Sequence, residues 1–344
     1  MKMHRKEKKK RKIMISTIVF IILDCLAIAG FVITYGPWDT LRNLYVNTAM
    51  NTMDHQYLAR IFYSEETVNE IMNSNYFVTI DDDVNLDDIV IDTSEKKTYK
   101  DEYEEELLTR EEGNNLYKLI NLKVGSANAY LVAIYDPTKV HLIAKEQLGT
   151  EHGERIITMC ERYGGIVCIN GGGFVDYGYG SGIPTGYVIE DGEITWSDGD
   201  VNSARGNIIG MTGDGKLKLM SSATGQEALE AGIVDALEFG PFLIVNGKSL
   251  EIHGDPWGRS PRVAIAQRQD GVMMFLVIDG ENYINGASLQ DVVDTLLKYG
   301  AYNAANLDGG TSSTLIVNNK LINNPPKAKA TNGRYVITGW GLIP

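Results

Sequence analysis

From Gly113 to the end of the 344-residue chain, short apolar runs alternate with glycine-rich turns, a texture that restricts the fold to one built largely of hairpins. Five two-residue turn signals separate plausible strands: Asp191-Gly192, Asp214-Gly215, Asn246-Gly247, Asp270-Gly271 and Asn318-Asn319. Asn, Asp and Gly tolerate the positive φ angles of tight hairpins, so these pairs predict antiparallel sheet. Two helices interrupt the pattern. One is predicted from about Glu151 to Tyr163, with Ile156, Ile157, Cys160 and Tyr163 on one face and a stop at Gly164-Gly165. The other starts at Ser288 with Asp291 three residues on, repeats Leu289, Val292, Val293, Leu296 and Leu297 at helical spacing, and stops at Gly300. The expected class is α+β: one globular domain over 113–344 with a mixed, largely antiparallel β-sheet and flanking helices.

The N-terminus has a different character. Residues 1–12 carry eight Lys/Arg and one Glu, a net +7, and Ile13 to Thr34 is almost wholly apolar. Such a run, about 33 Å long as a helix, matches the hydrocarbon thickness of a bilayer. The expected organisation is a cytoplasmic basic tail (1–12), a transmembrane signal anchor (13–34), a partly helical acidic stalk or connector (35–112) and an extracytoplasmic domain (113–344). A cleaved signal peptide is the rival reading, because Ala27-Ile28-Ala29 resembles a small-x-small cleavage site, but the apolar run exceeds a usual signal-peptide core. The chain's formal net charge is −13, which leaves −20 after residue 12 and argues against nucleic acid as a partner.

Within the connector, Leu58, Ile61, Phe62, Val68, Ile71 and Met72 keep near-helical spacing and predict an amphipathic helix pair. The run DDDVNLDDIVI (81–91) lacks the glycine and closing glutamate of an EF-hand loop and reads as a solvated charge run. Beyond Cys25 in the apolar run, Cys160 and Cys168 remain. A disulfide suits an oxidising compartment, but their apolar neighbours favour two buried thiols. No CxxC or His-rich spacing suggests zinc, and no cofactor is implied.

Three elements carry chemistry. NGGGF (170–174) follows the apolar segment Ile166–Ile169; its glycines let backbone approach a ligand closely, and Asn170 offers both donors and an acceptor. Asp308-Gly309-Gly310-Thr311-Ser312-Ser313 sets a carboxylate beside consecutive glycines and hydroxyls, an arrangement suited to an anionic substrate. Arg262 enters a strand, Asp279 leaves its expected hairpin partner, and antiparallel pairing brings the two toward one end of the sheet, either as a structural ion pair or as site residues. Weaker candidates are Asp176, a cleft-lining or turn residue, Trp257, a sugar platform or a buried anchor, and His253, which reads as incidental.

With GPFLIVNGK (240–248), PRVAIAQRQDG (261–271), VIDG (277–280), GASLQDVVDTLLKYGA (286–301), NLDGGTSST (306–314), LINNPP (321–326) and Arg334, these motifs resemble, in order and spacing, the phosphodiester glycosidase family. That family includes the animal enzyme that uncovers mannose-6-phosphate by removing N-acetylglucosamine. The resemblance covers roughly residues 115–344. It departs at Gly173, where the family usually has phenylalanine, and at Glu281, where an arginine often follows its Asp-Gly; the second departure bears on substrate identity.

The resemblance implies an extracytoplasmic hydrolase that removes a sugar, N-acetylglucosamine-like, from a sugar-1-phosphodiester on a cell-envelope polymer, exopolysaccharide or other glycoconjugate. A phosphate monoester leaves already charged, so stabilising that charge matters more than protonating the leaving group. Arg262 and the N–H groups of Gly309 and Gly310 suit that task, and Asp279 and Asp308 are candidates for water activation and for supporting the oxocarbenium-like carbon, with neither assigned to one role. Asn170 would hold a sugar hydroxyl or acetamide, and Gly171, Gly172, Asp176, Thr311, Ser312 and Arg334 complete the expected substrate contacts. Two other classes fit the same residues: a metal-dependent phosphodiesterase with Asp176, Asp279 and Asp308 on a divalent cation, and a non-catalytic glycan-binding or assembly protein of the envelope.

Overall fold

The computed structural model describes residues 2–36, 38–50, 56–150, 152–178, 181–280, 286–326 and 332–344. The chain divides into two compact units, Met1–Asn75 and Tyr76–Pro344. In the first, the helix Lys2–Tyr35 contains a 22-residue stretch, Arg11–Val32, long and apolar enough to cross a membrane and not buried within the protein. The helix pair predicted in the connector is Tyr57–Phe62 and Glu65–Ser74. The break falls at Ser64, whose hydroxyl caps the second helix by accepting from the Thr67 N–H at 3.2 Å. Ala59, Val68 and Ile71 face Val46 of the helix Asp39–Met50 in a small core.

The second unit is organised around a seven-stranded sheet. Its order is Lys248–Ser249, Phe242–Val245, Ala301–Leu307, Arg262–Arg268, Met273–Ile278, Ala127–Ile134 and Tyr117–Val124. All of its pairings are antiparallel. Arg262–Arg268 and Met273–Ile278 are buried along their whole length, so both faces of the sheet's centre are covered. The helix Leu289–Lys298 contributes Leu289, Val292, Val293 and Leu296 to that core. A five-stranded sheet contains Val167–Asn170 between Leu315–Val317 and Thr338–Leu342, and a second five-stranded sheet carries Tyr187–Glu190 and Ile233–Glu238.

Each of the five turn pairs closes an antiparallel hairpin. At Asp191-Gly192, Asn246-Gly247 and Asn318-Asn319 both residues take positive φ, between 49° and 78°, the conformation these residue types reach most readily. Ser288 caps its helix in the expected box with Asp291.

Three expectations change. The first predicted helix is shorter, Ile156–Arg162, because Glu154–Arg155 pairs as a strand with Tyr335–Val336; Glu151 lies outside the described residues. Cys160 and Cys168 form a disulfide rather than two thiols, since the Gly164-Gly165 turn reverses the chain and brings their Cα atoms to 5.9 Å. The acidic run 81–91 is not merely solvated: Val84 and Ile89 are buried, Asp81 accepts from Ser221, Asp82 pairs with Lys248, and Asp88 accepts from Tyr302. Residues 76–92 thus run as a strap along the second unit, beginning with Tyr76–Val78 paired to Glu251–His253.

Candidate active site

Register sets the frame of the site. Arg262 lies opposite Ile278 and Val263 opposite Leu307, so Arg262, Asp279 and Asp308 sit at the same end of three neighbouring strands. Asn170 ends a strand of the five-stranded sheet and is buried. Its Nδ2 donates to the Asp308 carbonyl at 2.6 Å, and its Oδ1 accepts from the Thr314 N–H at 3.0 Å. The Asp308 N–H donates back to the Gly171 carbonyl at 2.9 Å. The two polar-glycine motifs, 138 residues apart, are therefore one hydrogen-bonded unit.

Burial pushes the Asp308 carboxyl up to about 6, further raised by the nearby Asp176 carboxylate; the Ser312 hydroxyl, the Arg334 cation and the Gly309 N–H oppose the shift. Arg334 donates from Nη1 to Thr311 Oγ1 at 3.2 Å and from Nη2 to Asp176, and its guanidinium carbon lies 5.1 Å from the Phe174 ring centre. The Arg334 and Asp176 side chains keep 27% and 31% of their exposure, so this ion pair faces solvent and an anionic ligand can compete with Asp176 for it.

The other predicted residues are placed differently. Arg262 is 5% exposed and spends its donors on backbone: Nε on the Ala287 carbonyl at 3.0 Å, Nη2 on the Trp257 carbonyl at 3.2 Å and the Gly258 carbonyl at 2.5 Å. Burial lowers its pKa to about 10, against the pull of Asp255. It forms no ion pair with Asp279 of the kind the strand ends allowed. Asp279 accepts from the Asn324 N–H at 2.8 Å and from Asn323 Nδ2 at 3.3 Å, and its carboxylate adds to the burial that raises the Tyr130 phenol. Asn323 also donates to the Ser313 carbonyl at 2.9 Å, so Asp279 braces the loop that follows Asp308.

The glycines serve close packing. A Cβ on Gly172 would stand 2.9 Å from the Glu238 carbonyl oxygen, and one on Gly309 2.6 Å from that of Pro261. Their neighbouring N–H donors are engaged within the protein: Gly171 and Gly172 donate to the Thr338 carbonyl and hydroxyl, at 2.9 and 3.0 Å, and Gly310 to the Pro261 carbonyl at 2.9 Å. These three glycine N–H groups are therefore already engaged, whereas the Arg334 guanidinium keeps part of its surface open to solvent. Among the described residues, no group of three or more His, Cys, Asp and Glu side chains is placed to hold a metal ion. Glu281 lies outside the described residues. His253 bonds Glu251 at 2.7 Å and stacks on Tyr76.

Sequence reasoning missed Phe174, Thr338 and Asn323 as parts of the site. Phe174 and Asn323 lay inside quoted motifs, whereas Thr338 carried no local signal. Also missed was a cleft of about 360 Å³ lined by Phe77, Phe239, Phe242 and Trp257 among others. It adjoins the site: Phe239 packs against Gly173, and Asn306, two residues before Asp308, donates to the cleft-lining Gly240 carbonyl at 3.1 Å.

A carboxyl raised to about 6, a part-exposed guanidinium in the same cluster and a cleft near by are groups chemically able to do acid–base work on an anionic molecule. The chain belongs to the phosphodiester glycosidase family, whose model matches residues 163–343. It is 28% identical over 197 residues to the SPbeta prophage-derived uncharacterized protein YomE of Bacillus subtilis strain 168, which covers 55% of this chain and 29% of that protein. To the N-acetylglucosamine-1-phosphodiester alpha-N-acetylglucosaminidase of Bos taurus it is 36% identical over 66 residues, 19% of this chain and 12% of the relative. The chain thus spans less than a third of either curated relative's length. In fold it is similar to the catalytic domain of the zebrafish N-acetylglucosamine-1-phosphodiester alpha-N-acetylglucosaminidase, with a TM-score of 0.54 and 20% identity over 66% of this chain and 82% of that one.

Proposed function

We propose that the protein is an extracytoplasmic hydrolase that releases a sugar, N-acetylglucosamine-like, from a sugar-1-phosphodiester on a cell-envelope polymer or exopolysaccharide. The observation that carries this reading is Asp308, raised to about 6 by burial, within the electrostatic reach of Arg334, whose guanidinium itself donates to Thr311 and Asp176. The phosphate would displace Asp176 from Arg334, whose planar fork suits two phosphate oxygens. Because the phosphate monoester leaves charged, Asp308 is better used as a base: ionised at neutral pH, it takes a proton from the water that attacks the anomeric carbon. Ser312 and Gly309 orient that carboxylate. Asp279 and Arg262 act at one remove, Asp279 by bonding Asn323 and Asn324, of which Asn323 also holds the Ser313 carbonyl, and Arg262 by tying the Trp257–Gly258 turn to Ala287.

Membership of the family supports the reaction class. The basic flank before the apolar helix, together with the Cys160–Cys168 bridge, supports a single-pass anchor with the domain outside the cytoplasm. Hydrolysis of a defined sugar-1-phosphodiester in oxygen-18 water tests the chemistry: label is expected in the released sugar. Label in the phosphate, with activity lost in chelator, would instead establish a metal-dependent phosphodiesterase. Protease added to intact cells is expected to digest the domain, and full protection would reverse the topology.

A further inference from the structure

We propose that the helices Asp39–Met50 and Tyr57–Phe62 lie in the membrane interface, with one apolar face set into the lipid beside the end of the anchor helix. The proposal rests on the anchored reading of Arg11–Val32 and is independent of the chemistry at Asp308.

Along Asp39–Met50, Val46 and Ala49 turn into the small core, while Leu41 and Leu44, with Trp38 just before the helix, follow one another at three-residue spacing on the outside. Along Tyr57–Phe62, Ala59 is buried and Tyr57, Ile61 and Phe62 are exposed. The two rows meet at Tyr45, whose hydroxyl donates to the Leu58 carbonyl at 3.1 Å and whose ring stands edge-on to Phe62 at 5.9 Å and 71°. Trp38 is 50% exposed and Ile61 61%, as open as the large apolar side chains of the anchor helix between Ile13 and Phe31, at 49–65%. A contiguous face of this kind marks an interaction surface, which apolar residues scattered singly do not. The third helix of the unit, Glu65–Ser74, differs: its outer residues Glu65, Glu66, Asn69 and Glu70 are polar, so the small bundle is amphipathic as a whole.

The place of this face in the chain selects what covers it. The apolar span ends at Val32 and its helix at Tyr35, and three residues of chain, at most about 11 Å when extended, then reach Trp38. That tether holds the row that begins at Trp38 near the head groups. Trp38, Tyr45 and Tyr57 are of the residue types whose amphipathic rings settle at that level. Charge does not make the choice. Residues 36–75 contain two arginines and no lysine, and both arginines are paired within the unit, Arg42 with Asp39 at 3.0 Å and Arg60 with Glu65 at 2.9 Å. The contact is therefore apolar, and a neutral phosphatidylcholine bilayer is sufficient for it. A second copy of the chain could cover the same side chains, but the tether sets lipid beside them whether or not a copy is present.

The test uses the full chain in phosphatidylcholine nanodiscs, one chain per disc, with nitroxide labels at Ile21→Cys, Leu41→Cys, Ile61→Cys and Glu66→Cys, each in a Cys25→Ser background. Labelling without reductant keeps the Cys160–Cys168 bridge closed. Collision of each label with oxygen, which concentrates in lipid, is compared with its collision with a water-soluble nickel chelate. The ratio is expected to be highest at Ile21, lower but still lipid-like at Leu41 and Ile61, and water-like at Glu66. Water-like ratios at Leu41 and Ile61 with a lipid-like one at Ile21 overturn the proposal and leave the anchor standing, whereas a water-like ratio at Ile21 overturns the anchored reading and the proposal with it. Labels at Leu41 and Ile61 that neither reagent reaches would mean that protein covers the face, which also overturns the proposal. A measurement without labels reads the same contact: vesicles of phosphatidylcholine brominated near the head-group end of the acyl chains are expected to quench the tryptophan emission of the wild type more strongly than that of Trp38→Phe. Equal quenching of the two overturns the proposal.

Discussion

The side-chain amide of Asn170 donates to the backbone carbonyl of Asp308 at 2.6 Å, joining the end of a strand in one sheet to the end of a strand in another. Its oxygen accepts from Thr314 at 3.0 Å, so one residue fixes both flanks of the turn that bears the candidate base. Asn170→Ala removes the partner of the part-buried Asp308 carbonyl and of the buried Thr314 N–H, at roughly 1–3 kcal/mol for the buried group and less for the other. The denaturant midpoint should fall accordingly, with activity lost at temperatures where the variant is still folded. A variant as stable and active as wild type would show that the sheets are held together elsewhere.

Asp308 predicts the pH dependence. Its carboxyl is raised to about 6, and a base must be ionised, so kcat/KM should climb as pH rises through about 6 and then level off. Asp308→Asn should reduce turnover by roughly 10²–10⁴-fold. A profile that instead falls through the same region would reassign Asp308 as the acid.

The same shift has a signed effect on stability. A carboxyl whose folded pKa is raised from 3.8 favours its protonated form in the native state; the stabilisation is complete below 3.8 and is lost as pH rises through about 6. At pH 7.5 the native state must hold a half-buried, partly desolvated carboxylate, so Asp308→Asn is expected to melt higher than wild type. That advantage should shrink below about pH 6. Thermal denaturation at pH 7.5 and pH 5 checks the sign, and a variant that melts lower at both would mean that its hydrogen bonds to Ser312 and Gly309 outweigh desolvation.

How much of this was legible depended on how local the cause was. The hairpin at Asp191-Gly192 could be read because positive φ is a property of those residues, and the helix start at Ser288 because its cap closes within three residues. The shared end of Arg262 and Asp279 followed from antiparallel pairing alone, whereas the place of the Asp308 strand beside them did not. Where the Arg262 fork would point did not, because the carbonyls of Trp257 and Ala287 are brought to it by loops whose path is set by packing. The strap was hidden for a similar reason. In 81–91 the acidic residues dominate the pattern, yet the buried Val84 and Ile89 fix the segment, and the carboxylates find partners such as Lys248 far along the chain. Apolar neighbours around Cys160 and Cys168 suit a buried bridge as well as buried thiols, so composition could not separate the two.

Arg334 predicts a division between charge and geometry. Its fork reaches Thr311 and Asp176 together, which an ammonium cannot reproduce. Arg334→Ala should lower turnover on a phosphodiester by roughly 10²–10³-fold, as expected for removing a donor to developing charge, and Arg334→Lys should recover only part of it. Loss confined to KM would mean that the guanidinium binds ground state and transition state alike.

The bridge between Cys160 and Cys168 predicts a dependence on where the protein folds. It links the helix Ile156–Arg162 to the strand that ends in Asn170, with eight residues of sequence separation. Chain-entropy arguments assign such a loop roughly 2–3 kcal/mol of stability. Both sulfurs belong to fully buried residues in a core with Ile143, Ile156, Met159 and Ile316, so reductant should reach them only through partial unfolding. Domain exported to an oxidising compartment should therefore resist alkylation at both positions, while the same domain made in a reducing cytoplasm should be alkylated at both after denaturation and melt lower. Because the strand carries Asn170, the reduced form should also lose activity on heating before the oxidised form does. Equal melting of the two forms would show that the bridge constrains a loop already ordered in the unfolded chain, and would remove it as support for an extracytoplasmic site.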